Sequence, residues 1–296
     1  MDKLVGAVIA IAVVPVVLVA YITLVEAAVR QLPRRTAARV RPVLWVLPAV
    51  ALLFFFLVYP TIATIVLSFM DRNSERIIGL NNYINFFTRN DTLLALRNNA
   101  MWVVFLTLFT VGVGLIIAVL VDRVRYESLV KSVIFLPMAI SFVAAAIIWQ
   151  LVYSYDPKVG ILNAVITAFG GQPYPWLVNS PLNTIMLIIV GAWMLTGFAM
   201  VILSAGLKGI STELLEASRV DGANEWQVFR QIIFPLLLPT IAVISTTVII
   251  YALKTFDIVY TMTNGNFETE VIANRMYKEL FNFGQPGRAS ATAVIL

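Results

Sequence analysis

Two stretches of this 296-residue chain place ionisable side chains where they could do chemistry. The first is Glu216-Ala217-Ser218-Arg219-Val220-Asp221-Gly222, a polar island between two long apolar segments. Glu216, Arg219 and Asp221 offer charge-assisted hydrogen bonds, while Ala217 and Ser218 are small enough for a partner backbone to come close. Such an island is where an integral membrane protein can grip a soluble one. The second is Lys254 and Asp257, inside an apolar run, where ionisable groups are costly unless paired or wet. Their i, i+3 spacing lets them neutralise one another on one helix face. A structural pair lining a path, a contact to a hydroxyl-bearing solute and a proton relay are the three readings. The chain has no cysteine and no histidine, which removes thiol nucleophiles, disulfides, imidazole bases and the usual zinc and haem ligands. No metal site is expected.

The elements that hold these residues are membrane spans. With 60% hydrophobic and 12% charged residues and a mean hydropathy of +0.90, the composition lies outside that of soluble domains. A net charge of +5, much of it in one short segment, gives no support to nucleic-acid binding. Apolar runs of about 20 residues, the length a helix needs to cross hydrocarbon, fall near 4 to 28, 43 to 70, 98 to 121, 132 to 154, 183 to 207 and 236 to 262. A further run opens near 288 and stops at Leu296, so a truncated seventh span is expected. The first run is too long for a signal peptide and is read as a retained helix. The fold class is all-α: a polytopic helical bundle in the membrane.

Arg30, Arg34, Arg35, Arg39 and Arg41, with no acid among them, place the loop 30 to 42 in the cytoplasm. Alternation then puts 122 to 131 (Arg123, Arg125, Lys131) and 208 to 235 inside, and the N-terminus and 71 to 97, 155 to 182 and 263 to 287 outside. Residues 1 to 42 form an extra first helix with a basic linker, and 43 to 296 the main transmembrane domain. Leu80 to Phe87 and Val159 to Phe169 read as short amphipathic helices outside the membrane. Gly112, Gly114, Gly191 and Gly197 are expected where helices pack closely.

Within 208 to 235, Ser211 can cap a helix with Glu213 in its first turn, and Gly222 breaks it. Asn224 and Gln227 form a second cap; Trp226, Phe229 and Ile233 share an apolar face, and Pro235 is expected to end the element. This pattern resembles the EAA loop of permease subunits in bacterial ABC importers: Glu-Ala-Ala, three residues, Gly, nine residues, Ile, one residue, Leu-Pro. Ser218 and Phe234 are mild departures. Asn81-Asn82-Tyr83, Phe135-Leu136-Pro137, Trp193 to Phe198 and Thr263-Asn264-Gly265 extend the similarity to the maltose-type sugar permeases. Arg97-Asn98-Asn99, Thr196-Gly197-Phe198-Ala199-Met200 and Phe256-Asp257-Ile258-Val259 resemble the α-glucoside and glucosylglycerol permeases.

The resemblance implies a type I importer permease that pairs with a second permease chain. Two ATP-binding subunits would take the EAA loops, with Glu216, Ala217 and Gly222 in the coupling helix and its turn, and an external sugar-binding protein would deliver the solute. No Gly-rich phosphate loop occurs in the chain, so ATP and Mg belong to the partner ATPases; the chain itself needs no cofactor and is not an enzyme. A bacterial inner-membrane location follows. Sugars are held by hydroxyl hydrogen bonds and aromatic faces, which Trp193, Thr196, Phe198, Tyr251 and Thr255, with Ser141, could supply. Each has a plain structural reading as well: interface anchoring, packing, or a Thr bonded to its own backbone. The rival is an ion-coupled secondary transporter using Lys254 and Asp257, a class that often shows inverted repeats and interrupted midplane helices; neither is legible here.

Overall fold

The computed structural model describes residues 2–122 and 124–296, so Arg123 of the basic loop lies outside the described residues. Every regular element described is helical, with one isolated bridge between Met70 and Ile77. The chain forms two units, the first ending at Thr64 and the second Ile65–Leu296. In the first, the helix Asp2–Arg30 turns at residues 31 to 33 and is followed by a helical run, Arg34–Leu67, that crosses the boundary. The basic linker expected at 30 to 42 is therefore mostly helix. Arg and Ala favour that state, and Pro33 sits at the cap position, where its missing N–H costs nothing. Glu26 pairs with Arg41 at 3.1 Å, the Tyr21 hydroxyl donates to the Leu44 carbonyl, and Val25 and Val29 are buried.

Two proline-bearing helices share one device. Pro60 and Pro235 each follow a five-residue π turn, Phe54–Val58 and Phe229–Ile233, by the same offset. A wide turn relieves the clash of the proline ring with the preceding carbonyl and absorbs its missing N–H. Pro235 consequently does not end its element: the helix runs unbroken as Glu225–Leu253, through the π turn and into the membrane.

The second unit is organised around Leu182–Lys208, which matches the fifth expected span. Leu187, Ile188, Leu195, Ala199, Met200 and Leu203 are buried on it. In lipid, helix association relies on close packing more than on water exclusion, and the glycines show where. A Cβ on Gly114 would stand 2.8 Å from Ala199 Cβ; one on Gly197 would meet the Ile134 carbonyl at 2.6 Å; one on Gly191 would meet the Trp102 ring at 3.1 Å. Gly112 has open space instead, because it lies on the face of its helix turned from this contact.

Among the described residues, four helices are long and apolar enough to cross a membrane: Arg34–Leu67, Asn90–Val121, Leu182–Lys208 and Glu225–Leu253. The fourth expected span is not straight. It is two arms, Glu127–Ala139 and Phe142–Val152, bent by 100°. Pro137 stops the first arm in a 3-10 turn, and Ser141 Oγ caps the second by accepting from Ala144 N at 3.1 Å. The sixth is also broken. Its long helix stops at Leu253, and a short helix, Asp257–Met262, restarts after Phe256. The two short helices outside the spans form as Asn81–Thr88 and Ile161–Ala168, and the last apolar run begins as Pro286–Ile295.

Candidate functional site

The polar island forms helix, turn and helix. Thr212–Val220 buries no residue, and Val220 is 87% exposed. Its end is a Schellman turn: Ala223 N donates to the Ser218 carbonyl and Gly222 N to the Arg219 carbonyl, both at 3.1 Å. Gly222 takes φ +88°, which L side chains adopt only with strain. Beyond it Asn224 and Gln227 make a reciprocal capping box. Arg219 Nε bonds Glu225 Oε1 at 2.9 Å, tying the two helices across the turn. Trp226, 65% exposed, stacks on Phe229. Glu216, Ala217, Ser218, Arg219 and Asp221 thus occupy one short, largely solvent-facing element. Ser211 occupies the cap position but makes no side-chain cap bond.

The break in the sixth span opens on a cavity of about 220 Å3, lined by Trp102, Phe142, Tyr251, Lys254, Thr255 and Asp257 among others. Lys254 and Asp257 do not pair; neither side chain has a hydrogen-bond or ion-pair partner among the described residues. The i, i+3 argument fails because no continuous helix joins them. Lys254 follows the C-terminus of the long helix and Asp257 opens the short one, so each charge faces the helix end of opposite partial charge. Thr255 is buried within the break.

Trp193, Thr196, Phe198 and Ser141 are not part of this cavity's lining. Trp193 and Thr196 line a separate, more apolar pocket of about 640 Å3, with Trp193 edge-on to Trp149. Thr196 Oγ1 donates to the Ala192 carbonyl at 2.6 Å, its plain structural role. Phe198 packs against the core, and Ser141 is the helix cap described above. Tyr251 joins the cavity beside Phe142, their ring centroids 6.3 Å apart.

Residues 110–296 match the model of the family described as the binding-protein-dependent transport system inner membrane component, a match that contains the turn and most of the cavity. This chain belongs to that family. Among the relatives of the permease, the osmoprotective compounds uptake permease protein GgtC of Synechocystis sp. is 51% identical over 86% of this chain and 92% of its own. The alpha-glucoside transport system permease protein AglF of Rhizobium meliloti is 42% identical over 88% and 80%. A bacterial ABC transporter structure, involved in import of the acidic polysaccharide alginate, superposes with TM-score 0.75 at 23% identity, covering 85% of this chain and 87% of that one, and shows the same fold.

The permease is a multi-pass inner-membrane transport component of an ABC importer, not an enzyme, and the ion-coupled alternative gains no support. Its interrupted helices, which the sequence did not reveal, therefore do not speak for secondary transport. Three residues central to the break escaped sequence reasoning. Asn99 Nδ2 donates to the Leu253 carbonyl at 3.2 Å while its Oδ1 accepts from Ile272 N at 2.8 Å. Gln150 Nε2 donates to the Thr261 carbonyl at 2.9 Å. Trp102, 1% exposed, lines the cavity with its indole N–H bonded to no described residue. The adjacent amides Asn98-Asn99 in an apolar helix were a signal; nothing marked Trp102.

Proposed function

We propose that this permease imports an α-glucoside-like sugar, with the broken sixth span as its contact site and the 208–235 island as its grip on the ATPase. The cavity carries the reading. Trp102 and Asp257, one a donor and one an acceptor, together with Lys254 suit hydroxyls, while Phe142 and Tyr251 offer faces to the apolar side of a ring. The sugar-permease relatives support the substrate class. A second permease chain would complete the path, two ATP-binding subunits would take the island, and an external binding protein would deliver the solute. ATP and Mg would sit in the ATPases. In this reading the island is cytoplasmic and the N-terminus external, with the extra helix and basic segment of residues 1–42 preceding the permease domain at 43–296.

The test is uptake by the reconstituted importer with neutral α-glucosides. Lys254→Met and Asp257→Asn should each raise KM at least several-fold and leave co-purification of the ATPase intact. Unchanged KM in both variants sinks the cavity assignment; loss of the ATPase from a Gly222 variant alone would leave only the docking half standing.

A further inference from the structure

The helix Glu225–Leu253 leads the chain away from the polar island, and within the second unit a second charged site is built. Arg89, Arg275, Glu279, Asn282, Gln285 and Arg288 line a cleft of about 490 Å3. Asp91 Oδ2 engages Arg89 at 2.7 Å and Arg275 at 2.8 Å. Glu279 Oε1 accepts from Arg275 Nε at 3.0 Å, and Arg89 stands 3.9 Å away. The bond to Asp91 raises the Arg89 pKa, keeping its guanidinium charged. Two carboxylates are thereby committed to two guanidiniums. Arg288, half-buried on the helix Pro286–Ile295, has no ion-pair partner among the described residues. Glu279 is 3% exposed, and its Oε2 takes no hydrogen bond from any described residue.

An unpaired guanidinium asks for an anion, and a buried carboxylate oxygen without a donor asks for a hydroxyl. We infer that this cleft binds a small hydroxy-carboxylate, its carboxylate forked by Arg288 and a hydroxyl donating to Glu279 Oε2. Asn282 and Gln285 supply amide groups for further hydroxyls, and Arg275 lies 5.4 Å over the Phe283 ring, closing one wall. The volume falls in the range of small-ligand pockets. A sugar acid has both groups on one ring. The site lies outside the cavity at the broken span and does not depend on what passes through that cavity.

The same carboxylate chemistry could come from an acidic side chain on an external protein, so the experiment separates the two. The full-length permease in nanodiscs is titrated calorimetrically with D-glucuronate, with D-glucose as the neutral control. Glucuronate should bind and glucose should not. Arg288→Ala should weaken glucuronate at least tenfold, and Arg288→Lys, which keeps the charge, should recover part of that loss. Arg288 holds no partner in place, so a thermal melt of each variant should match the parent. Equal heats for glucuronate and glucose, or an Arg288→Ala titration indistinguishable from the parent, would overturn the site. A flat glucuronate titration in which Arg288→Ala weakens a captured external binding protein would overturn the small-acid occupant and assign the carboxylate to a protein surface.

Discussion

At the scale of single residues, the cavity is decided by groups that lack partners. A buried N–H without an acceptor is rare in proteins and costs about 1–3 kcal/mol. The Trp102 indole is such a group, and its ring is fixed by contact at Gly191. Replacing Trp102 by Phe removes the donor and retains an aromatic ring. Folding stability should hold or rise in a thermal melt, while KM for the transported solute rises several-fold. A fall in stability with unchanged KM would mean that the indole serves packing alone. Lys254 and Asp257 show the complementary lesson: two charges three residues apart need not form a pair when the helix between them is broken.

Breaks, bends and turns are features of elements. Asn99 satisfies the carbonyl that the broken helix leaves free at Leu253 and at the same time holds the amide of Ile272, so one side chain fixes both ends of the segment between. Asn99→Ala should cost about 1–3 kcal/mol, the penalty for leaving buried polar groups unmatched, and should speed hydrogen exchange across residues 253 to 272. Asn99→Asp would keep the acceptor and lose the donor, so protection should fall first at the Leu253 end. The turn at Gly222 makes a different demand. There is open space around its Cα but φ is +88°, so the strain of a side chain is in the backbone. Gly222→Val should cost about 1–2 kcal/mol locally and should lower ATPase recovery or uncouple hydrolysis from uptake, read by co-purification and by the ratio of sugar moved to ATP used. A valine variant with parental coupling would remove the turn from the mechanism.

For the whole molecule, the question is which end faces which side. The chain lacks cysteine, so single cysteines can be introduced into a clean background. Ser218→Cys on the polar island should react with a membrane-impermeant maleimide only in inside-out vesicles. Asn282→Cys, at the rim of the arginine-lined cleft, should react only in right-side-out ones. Labelling of both from the same side would contradict the topology that the arginines of residues 30–41 suggest.

Sequence alone determined the chemistry class and the general architecture. Lack of cysteine and histidine excluded thiol and imidazole chemistry, and hydropathy and run lengths required a helical membrane bundle, because in hydrocarbon a helix satisfies its own backbone. The Asn224–Gln227 cap and the glycine of the island were equally legible, since caps and turns are local and depend on a few neighbouring side chains, whereas Ser211 takes the cap position without the expected bond. The fifth span was read nearly to its end residues for the same reason. What the tertiary structure decided was everything set by contact between distant segments. The arm that leads into the 100° bend is seated by its Ile134 and Phe135 backbone against Gly197, some 60 residues away. The break after Leu253 is held by Asn99 from another helix, and a periodic apolar run gives no sign of it. Pro235, expected as a stop, is carried through by a π turn. Hydropathy reports the solvent each segment prefers; where a helix opens, and which charges are left to meet a ligand, depends on which neighbour supplies the missing hydrogen bond.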